Sequence, residues 1–235
     1  MWSGPRNLST AMMRSFSSRA DCAVSDEPFY AAYLKATGLE HPMRGEVMAS
    51  QPQDAAAVVA QILGPVPGGK SVWYQKHMSH HMVDGFPLDW MDAVTNVFLL
   101  RSPERVLASY AQKRESVTLA DIGFEGQAML FDRVAERTGT APVVVDSDDV
   151  RRDPAGTLSA LCAAIGLAWD PAMLTWPKGA HADDGVWGPH WYGAVYGSTG
   201  FSPPDEGVEL PEGLRGIADE ARPFYERMRG FRLGA

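Results

Sequence analysis

Apolar residues along this chain fall into two alternating patterns, short dense runs and longer stretches with helical spacing. The runs Val72–His77 (VWYQKH), Asn96–Leu100 (NVFLL) and Pro142–Asp146 (PVVVD) are rich in apolar and β-branched residues, as strands buried on both faces are. A weaker run, Cys22–Ser25, predicts a fourth strand. Ala55, Val58, Val59, Ile62 and Leu63 recur at the spacing of one helical face. Leu158, Leu161, Cys162 and Ile165 repeat that pattern, in a helix predicted to start with Asp153 as N-cap and Pro154 at its first position and to end at Gly166. The same grammar opens a helix at Ser102-Pro103-Glu104, carrying Val106, Leu107 and Tyr110 directly after NVFLL. Alternation of strand and helix predicts an α/β fold in three layers, a central, mostly parallel sheet flanked by helices. In such a sheet ligands sit beyond the carboxyl ends of the strands, so residues just after each strand are the first candidates for chemistry.

A length of 235 residues suits one domain over 1–235. Its composition shifts from Trp176 to Pro204, dense in Gly, Trp, Tyr and His, which reads as a lid or covering segment within that domain. Lys and Arg number 21 against 29 Asp and Glu, a formal net charge of −8. That balance repels a nucleic-acid backbone across the averaged surface but leaves a small anion open to a local cluster of cations. The stretches AAAVVAQIL and VTNVFLL fall far short of the roughly 20 apolar residues of a bilayer crossing, so no membrane partner is expected. Cys22 and Cys162 make no disulfide framework and no basic-then-apolar leader opens the chain, from which a cytoplasmic location is expected. The oligomeric state is left open.

Two stretches carry candidate chemistry. In WSGPRNLSTAMMRSF, Gly4 and Pro5 turn the chain and Ser9 and Thr10 stand at the mouth of a helix running through Met12, Met13 and Phe16. Free backbone N–H groups there favour an anion, and Arg6 adds a fixed charge with a bidentate fork. Alone, the stretch reads equally as a capped surface helix; it is not a Walker loop, since no Gly-Lys pair precedes the Ser/Thr. In LLRSPERVLASY, Arg101 ends a strand and Ser109 stands eight residues later on the next helix.

In this order the two stretches resemble the sulfotransferases that use 3′-phosphoadenosine 5′-phosphosulfate. Their first loop, Pro-Lys/Arg-Ser-Gly-Thr-Thr, is similar to Pro5-Arg6-Asn7-Leu8-Ser9-Thr10, and their Arg and Ser on the donor's 3′-phosphate have the spacing of Arg101 and Ser109. VDSDDVRRDPAGTLSALCAAIGL is similar to the strand, acidic turn and Asp-Pro-opened helix that follow in many members, so the resemblance runs from Met1 to Leu167. It implies a P-loop-like fold and transfer of a sulfuryl group to a hydroxyl or amine of a small acceptor. Arg6, Asn7, Leu8, Ser9 and Thr10 would then hold the 5′-phosphosulfate, and Arg101 and Ser109 the 3′-phosphate. In the tail, Lys178-Gly179 followed by Gly185 and Trp187 looks like a loosened form of the Arg-Lys-Gly-x-x-Gly-x-Trp loop that closes the donor site, with Pro177 where the Arg would be. Lys178 is the donor-binding candidate there. A P-loop-like fold has a full strand ahead of its first loop, and only Met1 to Ser3 precede this one, so a stunted first strand is expected; whether the natural chain starts upstream is left open.

Lys76, near the end of VWYQKH, offers an ammonium to neutralise charge on the transferring sulfuryl group or the leaving phosphate, while strand alternation turns His77 to the opposite face. The family's Lys-x-His motif has its histidine where this chain has Met78, so the proton acceptor is sought elsewhere. His80 or His81, just beyond the strand, titrates near ~6.5 in the ordinary case. Glu27 in SDEPFYAAYL is the rival, with a structural alternative as a helix-start carboxylate. His77, His80 and His81 lack a zinc frame or a fourth ligand. Asp146, Asp148 and Asp149 would suit magnesium in an ATP-dependent phosphotransferase of the same fold; sulfuryl transfer needs no metal and leaves them structural. That phosphotransferase and a nucleotide-binding module without turnover are the alternative functions. Trp187, Trp191, Tyr192 and Tyr196 hint at a flat or apolar acceptor.

Overall fold

A computed structural model describes residues 1–111, 117–204 and 207–234. The chain opens on β1 (Trp2–Ser3) and α1 (Ser9–Ser17), then runs through β2 (Cys22–Asp26), α2 (Tyr30–Thr37), α3 (Arg44–Ser50), α4 (Ala55–Ile62) and β3 (Val72–Met78). It continues as β4 (Val97–Leu100), α5 (Pro103–Ala111), α6 (Leu119–Ile122), α7 (Phe124–Thr138), β5 (Val143–Asp146), α8 (Ser147–Arg152) and α9 (Pro154–Ala164). The short helices α10 (Gly188–Trp191) and α11 (Gly193–Tyr196) and the long α12 (Arg215–Arg229) complete it. Two compact units emerge: one of Met1, Ser9–Val94 and Asp170–Phe201, the other of Trp2–Leu8, Thr95–Trp169 and Ser202–Ala235.

In the first unit β2 and β3 pair in parallel, Cys22 opposite Val72 and Asp26 opposite Lys76. α1 covers this pair: Phe16 stacks on Tyr74 with ring centroids 4.5 Å apart, and Met12 and Met13 are fully buried. His77, on the opposite side of β3 as alternation predicts, packs instead against Phe29 and Trp90. α4 buries Val58 and Ile62, but Leu63, expected on the same face, is the C-cap and 44% exposed, because the helix stops one residue short of it.

In the second unit β4 lies between β1 and β5, all parallel, with Trp2 opposite Phe98 and Val97 opposite Val143. Every residue of β4 is buried, which is why its sequence is apolar without alternation. The first strand is stunted, as expected, at two residues. Long side chains anchor it: Trp2 donates its indole N–H to Asn96 Oδ1 at 2.8 Å, and Gln127 on α7 donates to the Leu99 carbonyl beside it at 2.9 Å. α9 opens with Asp153 accepting the Gly156 N–H at 2.9 Å and Pro154 at its first position, and Gly166 beyond its end has φ 73°. Parallel strands flanked by helices give the α/β class that the sequence predicts.

Candidate functional site

In the second unit five of the candidate phosphate-binding residues, Arg6, Asn7, Leu8, Arg101 and Ser109, meet at the end of β4. Gly4 leaves β1 so close to α6 that a Cβ would sit 2.8 Å from the Ile122 carbonyl oxygen, a passage only glycine allows. Asn7 fastens the loop beyond, donating Nδ2 to the Leu99 carbonyl at 2.9 Å and accepting the Leu8 N–H on Oδ1 at 2.7 Å. Arg6 has a left-handed φ of 57°, and its carbonyl accepts Nη1 of Arg101 at 2.6 Å. Arg101 stands one residue past β4, and Ser109 follows on α5. Arg6 Nε donates to Ser109 Oγ at 3.1 Å, so two motifs 103 residues apart in the chain are in contact. Arg6, Asn7, Leu8, Arg101 and Ser109 are thereby gathered, all half-buried, with two guanidinium groups in one small region. Ser9 and Thr10 belong to the first unit, where they occupy the first two positions of α1, Ser9 buried and Thr10 half-buried.

The first unit holds a buried charge cluster on β2 and β3. The register that sets Asp26 opposite Lys76 brings both carboxylates of the Asp26-Glu27 pair to its ammonium. Lys76, 1% exposed, donates to Asp26 Oδ1 at 2.8 Å, Glu27 Oε1 at 2.6 Å and the Tyr192 hydroxyl at 2.8 Å. Glu27 has φ 45°, left-handed for a non-glycine residue, and its N–H still donates to the Lys76 carbonyl at 2.9 Å. Strain of this kind persists where surrounding structure over-determines it, as these bonds do here. Burial by itself would lower the Lys76 pKa; Asp26 and Glu27 outweigh it and hold the ammonium above the ordinary lysine value. Burial raises the Glu27 carboxyl, a shift that Lys76 opposes.

Tyr192 and Trp187 reach this cluster from the aromatic, glycine-rich stretch after Trp176. The Tyr192 hydroxyl donates to Asp26 Oδ2 at 2.7 Å and accepts the Trp187 indole N–H at 2.8 Å; the Gly185 N–H adds a third bond to Asp26 at 3.0 Å. On the other side of Glu27, Oε2 stands 3.9 Å from His81 Nε2. His81 is stacked between Tyr30 and Tyr33, both at 4.7 Å, and burial, then its neighbour His80, drives its pKa well below the ordinary value. Burial thus favours its neutral ring. His80 is half-buried and meets His81 edge-on at 4.6 Å. Lys178 is exposed and takes no part in the cluster, while Trp187 from the same loosened motif is 1% exposed within it.

The structure thus brings Lys76, Glu27 and His81 together, joins to them Tyr192 and Trp187 of the tail aromatics, and adds Asp26. Asp26 closes a strand next to a singled-out glutamate, a signal that could have marked it. Tyr192 was marked only as one of the tail aromatics that hint at an acceptor; nothing local ties it to this cluster, 166 residues away in the chain from Asp26. The acidic turn is bonded within the second unit: Asp146 caps α8 through the Asp148 N–H and accepts the Tyr225 hydroxyl at 2.8 Å, while Asp148 pairs with Arg105 and Asp149 with Arg152. Among the described residues no group of three or more His, Cys, Asp or Glu is arranged to hold a metal ion. Nor, among them, is any helix long and apolar enough to cross a membrane.

Comparison with known proteins gives a family, curated relatives and solved structures of similar fold. A family model described as "Sulfotransferase domain" matches residues 1–232. Branched-chain-amino-acid aminotransferase-like proteins 1 and 2 of Arabidopsis thaliana are 35% and 34% identical to this chain over 229 residues, 97% of its length. The chain spans about two fifths of those proteins, 41% and 40%. Among solved structures, the sulfotransferase domain from the Synechococcus PCC 7002 olefin synthase superposes with a TM-score of 0.59 at 17% identity, covering 95% of this chain and 92% of that one. The sulfotransferase domain from the curacin biosynthetic pathway gives 0.55 at 15% identity, with 94% of each chain covered. At those identities the likeness is one of fold.

Proposed function

The chain belongs to the sulfotransferase domain family, and from that premise we propose that it moves a sulfuryl group from 3′-phosphoadenosine 5′-phosphosulfate to a hydroxyl or amine of a small acceptor. The observation that carries the choice of donor is the bond between Arg6 and Ser109, at 3.1 Å, with Arg101 on the Arg6 carbonyl. Guanidinium groups and a hydroxyl gathered on half-buried backbone are the groups that hold phosphate esters. Arg6, Asn7, Leu8, Ser9 and Thr10 hold the 5′ end of the donor in this reading, and Arg101 and Ser109 its 3′-phosphate. The donor supplies the activated sulfuryl group. Lys76, kept charged by its carboxylates, offset the negative charge that develops during transfer.

Glu27 is the favoured proton acceptor. Burial raises its pKa toward the working range of a general base, and its Oε2 is the oxygen turned away from Lys76 toward His81. His81, neutral, then orients rather than ionises, and His80 is the remaining alternative. The segment 176–204 serves as a cover, Tyr192 and Trp187 excluding water from Lys76. The protein works in the cytoplasm in this reading, on a small molecule.

Titration calorimetry with 3′-phosphoadenosine 5′-phosphate tests the donor. Binding that is weakened by Arg101→Ala and Ser109→Ala is expected. A folded sample that binds none of this bisphosphate at high micromolar concentration would overturn the reading.

A further inference from the structure

The Lys76 ammonium has three hydrogens and all three are committed, to Asp26 Oδ1, Glu27 Oε1 and the Tyr192 hydroxyl at 2.8, 2.6 and 2.8 Å. In this arrangement it has none to give an oxyanion. The Tyr192 hydroxyl is equally full. Its one hydrogen goes to Asp26 Oδ2 at 2.7 Å, with Glu27 Oε1 farther off at 3.5 Å, and its two lone pairs accept from Lys76 and from Trp187 Nε1, each at 2.8 Å.

The three bonds on Lys76 differ in what their release leaves behind. Two join an ammonium to buried carboxylates, and parting them strands opposite charges at low dielectric. The third ends on a neutral oxygen that keeps its bonds to Asp26 and Trp187 when Lys76 lets go. Its carrier differs too. Asp26 and Lys76 are register partners on paired strands, with Glu27 tied to Lys76 backbone to backbone. Tyr192 lies between two four-residue helices, in a stretch that holds Gly185, Gly188, Gly193 and Gly197. Of the three partners, Tyr192 is the one that can yield.

We propose that Tyr192 is a positioning residue for Lys76, its hydroxyl occupying the place on the ammonium that an oxygen of an incoming sulfate or phosphate ester takes by displacing it. Asp26 retains Lys76 and Tyr192 as well as Gly185 through the exchange, since Lys76 and Tyr192 bond to its two different oxygens. Removing the hydroxyl leaves the third hydrogen of Lys76 unclaimed, so an anion binds without first breaking a bond. The inference rests on the donor reading above, and its test separates the two.

The full chain and its Tyr192→Phe variant are titrated with 3′-phosphoadenosine 5′-phosphate and melted in rising inorganic sulfate. The variant is expected to bind the bisphosphate about three- to tenfold more tightly, the worth of one hydrogen bond no longer surrendered, and to gain more in melting temperature from sulfate. A hydroxyl with a merely structural role would give equal or weaker binding in the variant, and that result overturns the proposal while leaving the donor reading intact. If neither protein binds the bisphosphate, the donor reading fails; a larger sulfate effect in the variant then still supports the displaced hydroxyl, and equal or absent effects overturn it. Should Tyr192→Phe not fold, fluorine NMR of the otherwise unaltered chain with fluorotyrosine in place of Tyr192 decides. Its resonance is expected to move as sulfate or bisphosphate is added, and a resonance that stays put overturns the proposal.

Discussion

An ammonium taken out of water costs several kcal/mol unless its partners repay it, and Lys76 is 1% exposed. Its partners are two carboxylates and a hydroxyl, so the cluster carries one positive charge against two acidic groups that are themselves buried. Removing only the cation is the costly change. Lys76→Met is expected to lower the unfolding free energy by about 3–5 kcal/mol, read from the midpoint of urea denaturation, because Asp26 and Glu27 lose the charge that compensates them. Adding Glu27→Gln to that variant is expected to recover part of the loss, one stranded charge being gone. A Lys76→Met protein as stable as the parent would mean the carboxylates are not held as charges. Lys76 and Glu27 were legible in the sequence, each standing at a strand end with a functional group no core needs. Asp26 was not, nor was the bond of Tyr192, named only as a tail aromatic, to this cluster, because what sets them there is a strand register and a contact across 166 residues, neither of which leaves a local pattern.

Among the elements, the loop after β1 is held by features with little tolerance. The Gly4 Cβ position lies 2.8 Å from a backbone oxygen of α6, which cannot swing aside as a side chain could. Gly4→Ala is expected to destabilise by about 1–3 kcal/mol in the same denaturation assay, as overpacking does, and to weaken bisphosphate binding along with it. Unchanged stability and binding would show that the loop can shift without loss. The helix that follows β5 and its acidic turn is simpler. Asp153 caps α9 from an exposed position, and Asp153→Ala is expected to cost about 1 kcal/mol where Asp153→Ser costs much less. Both elements were readable in the sequence, one from a Gly-Pro turn and one from Asp-Pro, because the signals are chemical and local. The end of α4 was not. Helical spacing continues through Leu63, but the helix stops at Ile62, and Leu63 stays 44% exposed. Periodicity records which residues share a face only while the helix lasts.

At the scale of the whole molecule, the net charge of −8 does not forbid an anionic ligand, because the cations named above sit in small clusters while the acidic excess is spread over the chain. Stability against pH is decided by the buried groups. Burial holds His77 well below its ordinary pKa, with the chain's amino group adding to the shift, and burial does the same to His81. The unfolded chain protonates both near ~6.5, which the fold refuses. Their contribution to stability is therefore complete above that pH and is lost as pH falls below it, at up to about 1.4 kcal/mol per pH unit for each ring. Glu27 and Asp146 act in the opposite direction. Burial raises both, so between the ordinary carboxylate range and their raised values the fold keeps protons that the unfolded chain gives up, and stability from them grows as pH falls. On acidification from neutral the two histidines work against the carboxylates, and the melting temperature is expected to fall between pH 7 and 6. His77→Gln, which can still bond to Gln75, is expected to flatten that fall, since one of the two refused protons is gone. A melting curve with the same slope in parent and variant would show that His77 gains its proton within the folded state.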